Sequence, residues 1–225
     1  MTDALAILIS FVYVFFVLGL AEGLRRVIGW GVDFTRKGVH IGVGMWAFGT
    51  AALFDSLWAA IVPPAAFVLI NYASYRLNLF QAMESEDKSN IGTILFPLAF
   101  IAMILIFFER SRPLFVAALM PLTWGDAFAA IIGRRWGRHR YTVAGARRSA
   151  EGTAAMLGFS FLAVAGALAV WGWPIGNALL YALCLACLSA LAEAFSPAGL
   201  DNLTVPAAGV LAWALFQTLW PHGVM

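Results

Sequence analysis

The stretch PLTWGDAFAAIIG, residues 121–133, decides the fold class, because it is a hydrophobic segment that carries one acidic residue, Asp126, and no other charge. With the apolar residues 113–120 before it, the stretch reaches the twenty or so residues that a helix needs to cross a bilayer. An ionised carboxylate at membrane depth costs several kcal/mol, so it is rarely kept without a role. The stretch therefore predicts a transmembrane helix that carries a functional acid.

The whole chain has the composition of a membrane protein. Of its 225 residues, 62% are hydrophobic and 12% are charged, and the mean hydropathy is +0.86. Soluble domains are only about half apolar. We therefore predict an all-α fold: a polytopic bundle of about eight transmembrane helices that forms a single integral membrane domain over residues 1–225. The predicted spans are 4–24, 38–54, 56–75, 91–108, 113–133, 152–171, 174–195 and 203–220.

The number of predicted transmembrane spans falls to seven if the short second segment is re-entrant or interfacial.

The positive charges predict the orientation in the membrane, because all but two of the 14 Lys and Arg residues fall in odd-numbered loops. Cytoplasmic loops carry the excess of Lys and Arg. We expect the odd-numbered loops and the active site to face the cytoplasm, with the N-terminus outside, in the cell (inner) membrane.

Three acidic residues are candidate metal ligands. Asp126, Glu193 and Asp201 lie near the predicted cytoplasmic ends of their spans, and Asn202 adds a neutral oxygen. Carboxylate oxygens suit Mg²⁺, which binds one or two of them and completes its shell with water and phosphate. The alternatives are an ion pair for Asp126 and a helix cap for Asp201.

A basic loop followed by a helix start is a candidate phosphate site. Arg147 and Arg148 precede Ser149, which opens the sixth span together with Gly152 and Thr153. Arginine binds phosphate through two parallel hydrogen bonds, and the amides of a helix N-terminus bind anions. The alternatives are a loop that is basic for topology alone and, for Ser149 and Glu151, an ordinary helix cap with a first-turn charge.

Three further residues are candidate ligands of a polyphosphate. Lys37 and His40 are three residues apart, so on a helix they share a face. Lys88 lies in the third loop, just before the fourth span. The alternative for Lys37 and Lys88 is a positive charge that sets the orientation in the membrane, and for His40 a polar group at the membrane interface.

Five motifs occur in a fixed order along the chain, and together they resemble the polyprenol kinase family. They are RKGVH (36–40), GTILFPLAF (92–100), GDAFAAIIGRRWG (125–137), RRSAEGT (147–153) and EAFSPAGLDNLTVP (193–206). That family groups dolichol kinase, phytol kinase and a CTP-dependent diacylglycerol kinase, and it is related to the phosphatidate cytidylyltransferases.

The resemblance implies transfer of the γ-phosphate of CTP to the hydroxyl of a membrane alcohol, with Mg²⁺ or a similar cation. It implies that Asp126 is the acid of the GDA motif, with Asp126 or Glu151 orienting the hydroxyl. The other residues that match motif positions of the family are Ser149, Glu151, Gly152 and Thr153 in one motif and Glu193, Asp201 and Asn202 in the next. Arg148 departs from the lysine usual in the family, and arginine differs from lysine in geometry.

The expected partners are the bilayer, CTP and a lipid alcohol, with no nucleic acid. Phytol, geranylgeraniol, farnesol and longer polyprenols such as dolichol all present one hydroxyl on an apolar body. Two other functions stay open: a cytidylyltransferase that makes a CDP-lipid, and an ion-coupled transporter in which the buried acids carry protons or ions.

Overall fold

The computed structural model describes residues 1–77, 92–143, 145–197 and 199–219, and these ranges are almost entirely helical. The helices are α1 (Asp3–Ile28), α2 (Val32–Leu53), α3 (Leu57–Leu77), α4 (Gly92–Phe107), α5 (Arg112–Met120), α6 (Asp126–Trp136), α7 (Ala150–Val170), α8 (Ile175–Phe195) and α9 (Asp201–Leu219). A π-helical turn, Pro121–Gly125, joins α5 to α6 without a break. The predicted all-α transmembrane bundle is confirmed.

The helices form eight rods that match the eight predicted spans, since α5, the π turn and α6 make one rod. In the described ranges, six rods are long and apolar enough to cross a membrane, and α4 is a shorter apolar helix. The remaining rod, α2, is one continuous helix of 22 residues. It begins before the predicted second span, so that Arg36 and Lys37 lie inside the helix. The chain is an integral membrane protein.

The rod formed by α5 and α6 is the centre of the bundle. About 72% of its apolar window is buried inside the protein, against 22% for α1, whose outer face presents large apolar side chains such as Leu8 and Phe16. Every residue of α5 from Leu114 to Met120 is buried. Ser111 caps the start of this helix by accepting a hydrogen bond from the Leu114 amide, which supplies one missing acceptor at the helix N-terminus.

A π turn places Asp126 at the head of α6. Proline has no amide hydrogen, and Pro121 opens the turn, which ends when the Asp126 amide donates to the Pro121 carbonyl five residues back. Such turns widen a helix and recur at functional sites. Here the Leu122 carbonyl within the turn accepts a hydrogen bond from His40 of α2 at 2.8 Å.

Glycine allows α7 to approach the π turn closely. A Cβ atom built on Gly125 would collide with Ser160 Oγ and would lie 2.7 Å from Met156 Sδ. We expect Gly125→Ala to lower the free energy of unfolding by about 2 kcal/mol, because overpacking of a tight core costs about 1–3 kcal/mol. The midpoint of thermal unfolding in detergent should fall by about 5 °C.

Gly158 provides the matched control on α7, since a Cβ atom there has nothing within 4 Å. Alanine favours a helix over glycine by up to about 1 kcal/mol, so Gly158→Ala should leave the midpoint unchanged or raise it. Equal shifts in the two variants would contradict the close packing of α7 on the π turn.

The basic loop after α6 contains a small β-hairpin that the sequence did not predict. Strand β1 (Arg140–Val143) pairs antiparallel with β2 (Ala146–Ser149), with Tyr141 opposite Arg148. Gly145 at the turn has a φ of 80°, which favours glycine. The hairpin matters for the site because it delivers Arg148 and Ser149 directly to the start of α7.

Candidate active site

One cavity of about 450 Å³ gathers most of the residues singled out in the sequence. Its charged part lies where α2, α6, the hairpin, α7, α8 and α9 meet, and its apolar part lies between α1, α2, α3 and α4. The predicted site residues that line it are Lys37, His40, Asp126, Arg147, Arg148, Ser149, Gly152, Thr153, Glu193, Asp201 and Asn202. Lys88 lies outside the described residues.

The first polar group in the cavity is built around Asp126, which is 6% exposed. Its Oδ2 accepts a hydrogen bond from Lys37 Nζ at 2.6 Å and lies 3.7 Å from His40 Nε2. His40 is also held by the Leu122 carbonyl and packs its ring against Phe96, with 4.4 Å between ring centroids. Asp126 therefore lies where the charged part of the cavity gives way to the apolar part.

The second polar group is built around Arg148. Its Nε lies 3.1 Å from Glu193 Oε1 and its Nη2 lies 3.5 Å from Asp201 Oδ2. The same Nη2 donates to the carbonyls of Glu193 and Ser196, each at 3.1 Å. Asp201 Oδ1 accepts from the backbone and side-chain nitrogens of Asn202, both at 3.0 Å. Arg148 thus fixes the end of α8 to the start of α9.

Three buried atoms of charged groups at the cavity find no hydrogen-bond partner among the described residues: Glu193 Oε2, Arg36 Nε and Arg148 Nε, the last of which has only its ion pair with Glu193 Oε1. Buried polar atoms normally have partners, so an unpaired oxygen and an unpaired guanidinium nitrogen in one cavity indicate a ligand that carries both kinds of group. A phosphate with its bound cation is such a ligand.

A magnesium ion fits this donor set only together with substrate. Among the described residues, no group of three or more His, Cys, Asp and Glu side chains is placed to hold a metal ion. Mg²⁺ usually binds one or two carboxylates and takes its other ligands from water and substrate phosphates. Glu193, with its unpaired oxygen, and Asp201 supply that number.

The start of α7 combines a helix cap with close helix packing. Ser149 Oγ accepts a hydrogen bond from the Gly152 amide at 3.1 Å, which is the capping role that the sequence left open. A Cβ atom on Gly152 would lie 3.1 Å from the Ala129 carbonyl, so α6 and α7 touch here. Thr153 Oγ1 is 2.6 Å from the hydroxyl of Tyr141 on the hairpin.

Basic side chains exceed acidic ones around the described part of the cavity. Three carboxylates face six cations, which are Arg36, Lys37, Arg134, Arg140, Arg147 and Arg148. Arg140 and Arg147 are exposed at the mouth, while Arg134 pairs with Asp33 of α2. An excess of positive charge attracts polyanions and suits a polyphosphate. Arg134 and Arg140 belong to the basic loop that the sequence offers as a phosphate site, and Arg36 stands directly beside the candidate ligand Lys37.

Glu151 lies apart from the cavity lining. Both of its carboxylate oxygens are 3.3 Å from the His139 amide, and Oε1 is 2.7 Å from His139 Nδ1. The carboxylate therefore secures the segment before β1, and the catalytic role of Glu151 stays a prediction. Because β1 carries Arg140 to the mouth of the cavity, Glu151 can position that arginine.

We expect Glu151→Gln to raise the KM for the phosphate donor about threefold to tenfold and to change kcat by less than about threefold, since a hydrogen bond of this kind contributes about 1 kcal/mol. Steady-state kinetics with the purified variant would measure both constants. His139→Ala removes the side-chain contact to Glu151 but keeps the backbone amide, and we expect the same direction of change in KM. A thousandfold loss of kcat in Glu151→Gln alone would instead return Glu151 to the reacting centre.

Comparison with known proteins gives two relatives of the chain. A protein of Synechocystis sp. named phytol kinase is 36% identical over 213 residues, which cover 93% of this chain and 91% of the relative. A protein of Triticum aestivum named probable phytol kinase, chloroplastic, is 26% identical over 206 residues, which cover 81% of this chain and 67% of the relative. No protein-family model matches the chain, and neither does any solved structure.

Proposed function

This chain belongs to the phytol kinase family, and we propose on that premise that it transfers the γ-phosphate of CTP to the hydroxyl of an isoprenoid alcohol in the membrane. The observation that carries the proposal is a cavity, lined by described residues, that joins a cationic, carboxylate-bearing end to an apolar end. A prenol has one polar atom at the tip of a hydrocarbon, and a nucleoside triphosphate is a polyanion. Both meet their chemical complement in this one space.

Asp126 is the residue that we assign to the alcohol. It lies at the boundary between the two parts of the cavity, with Lys37 at 2.6 Å and His40 at 3.7 Å from its Oδ2. The prenol oxygen attacks the γ-phosphorus, a new oxygen–phosphorus bond forms, and the bond to the β-phosphate oxygen breaks. Asp126 orients the hydroxyl and accepts its proton, which leaves a prenyl monophosphate and CDP. Positioning of this kind dominates phosphoryl transfer.

Cationic side chains neutralise the transferring phosphoryl group. Lys37 and Arg148 face the carboxylates, and Arg36 has an unpaired buried Nε that could bind a phosphate oxygen. Arginine forks suit phosphate because two parallel hydrogen bonds fix its orientation. Mg²⁺, held by Glu193, Asp201 and the nucleotide phosphates, would neutralise part of the triphosphate charge.

The nucleotide and the orientation in the membrane rest on the sequence. CTP is proposed because the motif set resembles a family with CTP-dependent members. The cytoplasmic location of the site, in the cell (inner) membrane, is proposed because the arginine-rich hairpin and the other charged loops follow the positive-inside rule. CTP then enters from the cytoplasm, and the alcohol enters from the bilayer.

The test is a phosphorylation assay on the purified protein in detergent. CTP is compared with ATP, Mg²⁺ with EDTA, and phytol, geranylgeraniol and farnesol with diacylglycerol, and the lipid products are resolved by mass. We expect a prenyl monophosphate and CDP, formed only with a divalent cation. Pyrophosphate release with a phospholipid acceptor would overturn the kinase proposal in favour of a cytidylyltransferase. Absence of any phosphorylated lipid with any nucleotide would also overturn it.

A further inference from the structure

The apolar part of the cavity extends along one face of α2. Lining residues recur every three or four positions and change from charged to apolar along the helix: Arg36, Lys37, His40, Val43, Trp46 and Thr50. That spacing puts them on one face. From His40 to Thr50 the helix rises about 15 Å, at 1.5 Å for each residue. We call this part of the cavity, from His40 to Thr50, the apolar arm.

The walls of the apolar arm offer hydrocarbon and aromatic surface. No charged side chain occurs among its described lining residues beyond His40. The apolar residues that α1, α3 and α4 contribute to the cavity are Val14, Leu18, Pro63, Pro64, Phe67, Phe96, Pro97 and Phe100, and α3 and α4 add Asn71, Gly92 and Thr93. A lining of this kind matches an unfunctionalised hydrocarbon chain, and its opening beside Asp126 means that such a chain would present its polar end to the acid.

The far end of the apolar arm is a fixed wall. The indole nitrogen of Trp46 donates to Ser10 Oγ at 3.0 Å, and its ring stacks on Tyr13 with 4.5 Å between centroids. A Cβ atom on Gly49 would lie 2.6 Å from the Trp46 ring, so this glycine makes the space for the indole. Trp46 is thus held by α1 and by its own helix. Thr50, 2% exposed, lies one turn beyond it.

We propose that the apolar arm holds the isoprenoid tail of the acceptor and that Trp46 and Thr50, which close its far end, set the longest tail that it can accept. This inference rests on the proposed kinase function. An extended chain advances about 1.2 Å for each backbone bond, so about 15 Å takes about 13 bonds. A farnesyl chain has fewer bonds and a diterpenoid chain slightly more, whereas the tail of a long polyprenol would have to leave the arm.

Two variants change the end of the apolar arm in opposite directions. Thr50→Phe fills it, and we expect the ratio of kcat/KM for geranylgeraniol to that for farnesol to fall at least about tenfold, since a pocket discriminates about tenfold or more for each excluded methylene. Trp46→Leu opens it, and the ratio for solanesol, a long polyprenol, to geranylgeraniol should rise by a similar factor. If Thr50→Phe does not fold, Thr50→Leu tests the same ratio with a smaller side chain.

Matched controls make the same substitutions away from the cavity. Thr218 is exposed near the end of α9 and Trp58, 74% exposed, lies at the start of α3. Thr218→Phe and Trp58→Leu should leave all ratios within about twofold of the wild type. Ratios that stay at the wild-type value in Thr50→Phe and Trp46→Leu would overturn the length-setting arm while leaving the kinase function intact. A wild-type protein that phosphorylates no prenol would instead overturn the proposed function itself.

Discussion

Replacing Asp126 by asparagine is expected to lower kcat for prenol phosphorylation by about a thousandfold while the protein stays folded in the membrane. The substitution keeps the shape of the side chain but removes the charge that orients the hydroxyl and accepts its proton, a contribution of about 10²–10⁴-fold in enzymes. Initial rates with saturating CTP and geranylgeraniol would measure the loss. Product formation within tenfold of the wild type would contradict the assignment of Asp126.

The folding control for Asp126→Asn uses Lys37, the ion-pair partner of Asp126. Lys37 Nζ donates to Asp126 Oδ2 and its side chain is only 13% exposed, so Asp126→Asn leaves a buried ammonium group without its counter-ion. The double variant Asp126→Asn with Lys37→Met removes both charges. We expect its thermal midpoint to recover towards the wild type while its activity stays lost. Asp55→Asn, an exposed change between α2 and α3, should affect neither quantity.

Replacing Arg148 by methionine is expected to reduce both stability and activity. Glu193, 4% exposed, and Asp201, 8% exposed, both lose their cation, and breaking a buried ion pair costs about 3–5 kcal/mol. The thermal midpoint should fall by about 10 °C, at about 2–4 °C for each kcal/mol. If Arg148 also binds a phosphate, kcat/KM for CTP should fall at least about a hundredfold.

Arg148→Lys separates the two roles of this arginine. It keeps the charge but loses the planar fork, so we expect most of the stability to return and the KM for CTP to remain raised. If Arg148→Lys restored both the thermal midpoint and the KM for CTP, Arg148 would act only as a structural ion-pair partner. Arg26→Met provides the control, because Arg26 lies on α1 with its side chain 75% exposed and pairs only with Glu22 among the described residues. It should match the wild type in both measurements.

Several features of the site were predictable because they depend on neighbours in sequence. Hydropathy located the eight rods, since crossing a bilayer requires a long apolar stretch whatever surrounds it. Asp126 stood out as the one charge in its stretch, and the Ser149 cap follows from a hydroxyl residue directly before an apolar run. The shared face of Lys37 and His40 follows from helical spacing alone.

The sequence by itself therefore determined that this protein is a bundle of transmembrane helices with acids, arginines and hydroxyls at the ends of particular spans. The tertiary structure alone decided which of them meet. Lys37 pairs with Asp126, 89 residues away in sequence, and Arg148 joins α8 to α9. Glu151 contacts His139 and does not line the cavity. The physical reason is that lipid is as apolar as the protein interior, so the hydrophobic pattern of a membrane helix does not reveal its inward face. That face, and with it the path of the apolar arm from Asp126 to Thr50, is fixed only by how the rods pack.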